Sequence, residues 1–380
     1  MKELLNEIKP QILEIFNHLH ENPEVSWKEY QTTSYISKIL HQNDIEVTSF
    51  VDMPGVVGNW YPEKEHKKLT VGLRADMDAL FQEVDGTIRA NHSCGHDAHM
   101  TIVLGVLLVL KKMKINLPGT LKFIFQPAEE VGEGALKMIE KQVLEDVDFL
   151  YGLHLRPIQE MKLGQASSGI IHGSADTVYG EIHGFDGHGA RPQLTLNAIE
   201  VITSIVDQLK GIRLNPQISY SVKMTQVSAG GENANIIPGS SKFSLDLRAQ
   251  SNEAMDELIE KVEDVLKKMS VFHQCQISFQ HKERVYAASI DQEAERFMEK
   301  AIEKTLGAKG VVRPIITPGG EDFHFYTKER PAIKATMLGV GCDLEPGLHH
   351  PNMAFNHDAI FTGIEILTRA VIETFSRDNK

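Results

Sequence analysis

The chain has 380 residues, 42% hydrophobic and 24% charged, which is the band of an ordinary globular protein able to bury a core. Its 39 Lys and Arg against 52 Asp and Glu give a net charge of −13, which argues against a protein that grips nucleic-acid phosphates or anionic lipid. The longest apolar run, 102–110, falls well short of the ~20 residues that a membrane helix needs, so neither a nucleic-acid nor a membrane partner is expected. The N-terminal stretch MKELLNEIKPQILEIF has no cleavage-site pattern, and Cys94, Cys275 and Cys342 are too widely spaced for a disulfide framework. A reduced, cytoplasmic protein of two or three domains is expected.

In chain order, residues 3–20 carry Leu4, Leu5, Ile8, Ile12, Ile15, Phe16 and Leu19 on one face, which predicts an amphipathic helix. Residues 69–73 read as a buried strand running into a polar loop, Arg74-Ala75-Asp76-Met77-Asp78, and 99–111 as an apolar helix. Strands follow at 121–125, ending in QPAEE, and at 149–153, ending at His154. Residues 335–340 form a strand before the loop with His349, and 358–375 the final helix. Strands alternating with helices predict an α/β fold with a mostly parallel sheet. Between them the pattern changes to strand 177–183, helix 196–210, strands 218–227 and 242–248, helix 253–269 and strand 276–281. That βαββαβ order is the ferredoxin-like arrangement and can close a sheet of its own. The expected division is a domain of residues 1–174 and 285–380, interrupted by an inserted domain of residues 175–284.

Four groups of residues carry chemistry. In HSCGHDAH (92–99), Cys94 and His96 lie two apart around a glycine, so both can turn to one side of a loop toward a divalent transition metal. The alternative is a buried cysteine of the core. Asp97 then either orients a ligand from behind or caps the following helix. Glu129 and Glu130 follow an apolar strand and a proline; in extended chain they point to opposite sides, one toward a metal and one toward a water, unless they are a solvated helix start. His154 and His349 are unremarkable singly. Together with Asp76, Glu129 and Glu130 they sit at or beyond predicted strand ends, where open α/β sheets bind ligands.

These stretches also carry a resemblance. GLRADMDAL (72–80), HSCGHDAHM (92–100), QPAEE (126–130), GLHL (152–155), GHGARP (187–192), NANIIPG (233–239), LDLR (245–248), GGEDF (319–323) and LHHP (348–351) span nearly the whole chain. They resemble the co-catalytic metal-dependent aminoacylase and carboxypeptidase superfamily, in the amidohydrolase branch with aminoacylases, hippurate hydrolases and plant auxin-conjugate hydrolases. The resemblance implies two divalent ions per subunit (manganese, zinc, cobalt or nickel) held by Cys94, His96, Glu130, His154 and His349, with Glu129 as general base. It implies that the inserted domain is a lid and dimerisation domain of a homodimer. There His188 would assist at the reacting carbonyl, and Asn235 and Arg248 would contact substrate; a loop histidine beside glycines is the other reading of His188. Arg74-Ala75-Asp76 lacks the metal-binding histidine of the wider superfamily's His-x-Asp motif, which leaves Asp76 an orienting role. Phe81 stands where the branch commonly has proline, at the pocket mouth.

The activity so implied is hydrolysis of an N-acyl amino acid or a related small amide by activated water, Glu129 carrying the proton to the leaving amine. A dipeptidase or aminopeptidase on the same ions is the second reading, and a non-catalytic binder of acylated amino acids the third.

Overall fold

A computed structural model describes residues 1–62 and 69–377. The chain divides into two compact units, one of Met1–Ile171, Ser289–Ile316 and Asp322–Lys380, the other of His172–Ala288 with Thr317–Glu321. The larger unit begins with α1 (Lys2–Glu21), whose Leu5, Ile8, Ile12, Ile15, Phe16 and Leu19 are buried as the spacing predicts. Next comes α2 (Tyr30–Gln42), then strands β1 (Glu46–Ser49), β2 (Val56–Trp60) and β3 (Thr70–Asp76). A hairpin, β4 (Leu80–Val84) and β5 (Thr87–Asn91), turns on Asp85 and Gly86, both at positive φ. Helix α3 (His96–Lys112) is buried from His96 to Leu110, which fits a helix apolar on every side. Strands β6 (Thr120–Gln126) and β7 (Phe149–Pro157) are buried almost throughout.

The smaller unit has the βαββαβ order: β8 (Ser174–His183), α4 (Ala198–Leu209), β9 (Tyr220–Ala229), β10 (Ser241–Ala249), α5 (Asn252–Phe272) and β11 (Gln276–Val285). Its antiparallel sheet runs β9-β10-β8-β11. The inward residues of β8 alternate strictly, and Val178 and Ile182 join Phe243, Leu245, Leu247, Val201, Ile205, Leu258 and Val262 in a core separate from that of the larger unit.

The chain then returns through α6 (Gln292–Leu306), β12 (Lys334–Leu344) and α7 (Asp358–Phe375). The large sheet runs β1-β2-β6-β3-β7-β12, completed by the two-residue strands Ala166–Ser167 and Val311–Val312. Strands β6, β3, β7 and β12 are mutually parallel. Helix α3 packs on β3 and against α1 and α7. Its approach to α7 is close because Gly105 has no side chain: a Cβ there would stand 2.3 Å from Ile364 Cδ1.

The sheet's order reverses at β3. The connection through α3 places β6 on one side of β3, and the next places β7 on the other. Ladder pairing shows what this does. β3 stays paired with β6 to Asp76–Gln126, and β7 stays paired with β12 past His154, but β3 and β7 part after Leu73–Tyr151. Asp76 and His154 each lie three residues beyond that last pair, on either side of a gap. A crevice at the carboxyl ends of strands, at the point of reversal, is where open α/β sheets bind ligands.

Candidate metal centre

The polar loop expected at 74–78 begins only after Asp76, and its first three residues continue β3: Arg74 and Asp76 are both fully buried strand residues. A buried guanidinium is tolerated when its donors are satisfied. Here Nε donates to Gln126 Oε1 at 2.9 Å, one terminal nitrogen to Asp76 Oδ2 at 2.5 Å and the other to Asp322 Oδ1 at 2.8 Å. Asp322 in turn accepts from Gln126 Nε2 and the Ala135 N–H. This network fixes the floor of the crevice.

The start of α3 enters the gap. Gly95, at φ 87°, precedes the helix, and a Cβ there would meet Leu155 of β7 at 3.0 Å. His99 donates from Nδ1 to Asp76 Oδ1 (2.7 Å), and its Nε2 accepts the Leu155 N–H (3.0 Å), a backbone donor freed where the ladder parts. Both ring nitrogens are therefore engaged, and His99 ties the helix to the sheet. His96 is placed differently. Its Nδ1 lies 3.3 Å from Asp78 Oδ1, while its buried Nε2 has no hydrogen-bond partner. Helix α3 thus begins three residues earlier than the apolar pattern predicts, because its first turn is polar for the sake of these contacts.

Glu129 and Glu130 do not lie in extended chain. Ala128 adopts φ 56° and the pair forms a turn, so both carboxylates face His96 instead of opposite sides: Glu129 Oε2 and Glu130 Oε1 are each 3.9 Å from its Nε2. Asp78 holds the turn, accepting the Glu129 N–H (3.2 Å), the Glu130 N–H (3.0 Å) and the Ser26 hydroxyl (2.6 Å). Glu130 Oε1, like His96 Nε2, is buried without a partner. Leaving such atoms unsatisfied costs roughly 1–3 kcal/mol each, and two of them facing one point mark a place for a cation.

His154 and His349 complete the group. His154 Nδ1 donates to the Leu155 carbonyl (2.6 Å), which leaves Nε2 as the lone-pair nitrogen, 3.6 Å from Cys94 Sγ. His349 has φ 64°; its N–H donates to the Ser93 carbonyl (2.7 Å) and its own carbonyl accepts from Gln82 Nε2 of the hairpin (3.0 Å). Its Nε2 is 3.4 Å from Glu130 Oε2, and its side chain is about half exposed. Two of the donor groups so formed share the Cys94 thiol: Cys94–His96–His154, fully buried, and Cys94–Glu130–His349, partly open. Thiolate, imidazole and carboxylate make a donor set suited to divalent transition metals.

Ligation needs a thiolate and neutral imidazoles, a form that the protein's own groups favour at His154 and oppose at Cys94, His96 and His349, where a cation's charge would supply it. Burial, joined by the Glu130 charge, pushes the Cys94 thiol up. Hydrogen bonds to Cys94 and Glu130 raise His349 to about 10. Burial works against protonating His96, but Asp76, Cys94 and Asp78 outweigh it and raise its pKa. Burial, with the neighbouring His99 ring and the Arg156 guanidinium, pushes His154 well down, so it is neutral and ready to donate its lone pair.

The remaining expected residues lie as follows. Asp97 sits within the first turn of α3, not at its cap, and is buried; it accepts the Ala98 N–H and pairs with His20 Nδ1 at 2.6 Å. In the smaller unit, His188 is exposed on a two-residue ladder, Gly187–His188 with Ile236–Ile237, where the Gly189 N–H donates to the Asn235 carbonyl. Arg248 is an exposed β10 residue whose Nε donates to Asp246 Oδ1 at 3.0 Å. Phe81 is an exposed residue of the hairpin that holds His349. The expectations omit Asp78, although its position two residues after Asp76 was a visible signal, and they omit Glu29, which had none. Among the described residues no helix is long and apolar enough to cross a membrane.

Comparison with known proteins agrees with this geometry. The model of peptidase family M20/M25/M40 matches residues 72–373. The chain is 30% identical to an N-acetyldiaminopimelate deacetylase of Bacillus subtilis, over 94% of this chain and 97% of that protein. It is 32% identical to an IAA-amino acid hydrolase of Arabidopsis thaliana, over 83% and 74% respectively. In fold it matches a dinuclear metal-binding peptidase of Bacillus subtilis with a TM-score of 0.84, at 24% identity over 98% of this chain and 99% of that one. A family match from β3 to α7, over a crevice that gathers thiol, imidazole and carboxylate donors, shows that the chain belongs to peptidase family M20/M25/M40 and is a metal-dependent hydrolase.

Proposed function

We propose that the protein is a two-metal amidohydrolase that cleaves the acyl–nitrogen bond of an N-acyl amino acid or a related small amide. The observation that carries this is the convergence of Cys94, His96, Glu130, His154 and His349 on two orphaned atoms, with the Glu129 carboxylate beside them. Cys94, His96 and His154 would hold one ion, and Cys94, Glu130 and His349 the other; manganese, zinc, cobalt and nickel all suit these donors. Divalent ions so held polarise a carbonyl and acidify water. Glu129 is the general base: it takes the proton of the attacking water and returns it to the departing nitrogen, which would otherwise leave as a very poor anion. His188 steadies the oxyanion, and Asn235 and Arg248 bind the substrate's polar end, so the smaller unit serves as a substrate-binding lid. The names of the deacetylase and the conjugate hydrolase support an acylated amino acid as substrate.

Two copies would pair through the smaller unit, where edge strand β9 and helix α4 border a groove of about 590 Å³. The deciding experiment assays N-acyl amino acids and free-amine dipeptides in parallel with each of the four metals, for the wild type and Glu129→Gln. The proposal expects hydrolysis of the N-acyl series and a loss of about 10²–10⁴-fold in the variant. Undiminished turnover by Glu129→Gln removes the base, and exclusive cleavage of free-amine dipeptides makes the protein a dipeptidase.

A further inference from the structure

The acidic turn is held from a direction that the reaction does not require. Residues 24–29, between α1 and α2, run along it. The Ala79 N–H donates to the Glu24 carbonyl (2.8 Å), the Ser26 hydroxyl donates to Asp78, and Trp27 Nε1 donates to Glu133 Oε2 (3.0 Å). Glu29 ends the segment. It stands at the cap position of α2 but does not cap it; Glu24 does, accepting the Thr32 N–H (2.8 Å) and hydroxyl (2.9 Å). Glu29 instead reaches across to accept the Ala128 N–H at 2.8 Å with Oε1, while its Oε2 is buried without a partner. The side chain is wholly excluded from solvent.

Ala128 is the residue whose positive φ swings Glu129 and Glu130 toward His96. Alanine has no preference for that conformation, which costs it ~1–2 kcal/mol, so something outside the turn must hold it. The chain before it is held too, for Thr33 Oγ1 accepts the Gly55 N–H, and a Cβ on Gly55 would stand 2.8 Å from Pro127. We propose that Glu29 is a positioning residue for the reaction: by holding the Ala128 N–H it fixes the left-handed bend and thereby aims the Glu129 carboxylate. The inference rests on the assignment of Glu129 as the base.

The charge state of Glu29 is consistent with this. Burial and the nearby Asp78 carboxylate raise it to about 8, with backbone N–H groups of Glu29, Ala128 and Lys28 partly offsetting them. Asp78 is the charged group that acts on it most strongly. Glu29 is thus neutral at pH 7, and glutamine is its close mimic: a carbonyl oxygen for the Ala128 N–H and no charge.

The test compares metal-loaded wild type, Glu29→Gln and Glu29→Ala by steady-state kinetics across pH, thermal melting, bound-metal content and hydrogen exchange of the peptide 126–131. The proposal expects Glu29→Ala to lower kcat by about 10- to 100-fold, as misplacement of a catalytic group does, with KM and metal content little changed and exchange in 126–131 accelerated. Glu29→Gln restores kcat and exchange protection. The proposal is overturned if Glu29→Ala exchanges and turns over like the wild type, or if Glu29→Gln falls as far as Glu29→Ala. Should the wild type hydrolyse no N-acyl amino acid, the assignment of function fails by itself, and the exchange of 126–131 still decides whether Glu29 holds the bend.

Discussion

Asp78→Asn isolates the contribution of the carboxylate that joins the two halves of the metal centre. Asp78 is almost fully buried and accepts four hydrogen bonds: Oδ1 takes His96 Nδ1 and the Glu129 N–H, and Oδ2 takes the Ser26 hydroxyl and the Glu130 N–H. Asparagine has the same shape but only one acceptor atom. Its amide nitrogen will replace Oδ2, because the Ser26 hydroxyl can rotate to accept, whereas an imidazole donor and two backbone donors cannot. The Glu130 N–H then faces another donor and His96 loses its charged partner. Removing the group that orients a metal-binding histidine typically weakens metal binding 10- to 100-fold, equivalent to about 1.4–2.8 kcal/mol. Competition with a chromogenic chelator measures this directly, and kcat at saturating metal reports the displacement of Glu129 separately. Ser26→Ala is the milder control, at about 0.5–1.5 kcal/mol for one hydrogen bond. Asp78→Asn with metal affinity within twofold of the wild type would refute the reasoning.

Arg74→Met removes the buried cation and leaves the buried Asp76 and Asp322 carboxylates without it; about 3–5 kcal/mol of stability will be lost in urea denaturation, and a loss below about 1 kcal/mol contradicts the network. His324, held down to about 3 by burial and the Arg74 charge, is neutral when folded and binds a proton more readily when unfolded. Its contribution is therefore fully present above pH 6.5 and lost as pH falls toward 3; His324→Leu will flatten the acid side of a stability–pH profile, and an unchanged slope shows that other groups set it. With the ions held as proposed, the one at Cys94, Glu130 and the half-exposed His349 will leave on chelation before the one at Cys94, His96 and His154. A timed chelation series should show two phases, with His349→Ala retaining a single equivalent; release in one phase argues against two unequal positions.

What was legible in the sequence was whatever depends on local pattern. The apolar spacing of α1, the alternation in β8 and the buried runs of β6 and β7 follow from period and burial, and the βαββαβ order of the smaller unit follows from them. The hairpin turn at Asp85-Gly86 and the cap at Asp291, which accepts the Glu293 and Ala294 N–H groups, were signals of ordinary kind that the expectations passed over. Other features had no local cause. Ala128 takes its conformation from Glu29, almost a hundred residues away, so nothing in QPAEE announces that the two carboxylates share a side. Helix α2 is capped by a glutamate from outside its first turn, which leaves no Ser, Thr, Asp or Asn to mark its start. Arg74 looks like a loop residue until its three partners, from β3, β6 and the segment before β12, are assembled.

Besides their contacts with one another, four of the donors around the crevice are held by groups outside the donor set: His154 by its neighbour's carbonyl, His96 by Asp78, His349 by Ser93 and Gln82, and Glu130, with its turn, by Asp78. A small zinc domain, by contrast, is unfolded until the ion organises it. Side chains and backbone of this chain thus help to aim these donors, and an ion they receive would be selected by supply and by the fit of its radius and softness to them.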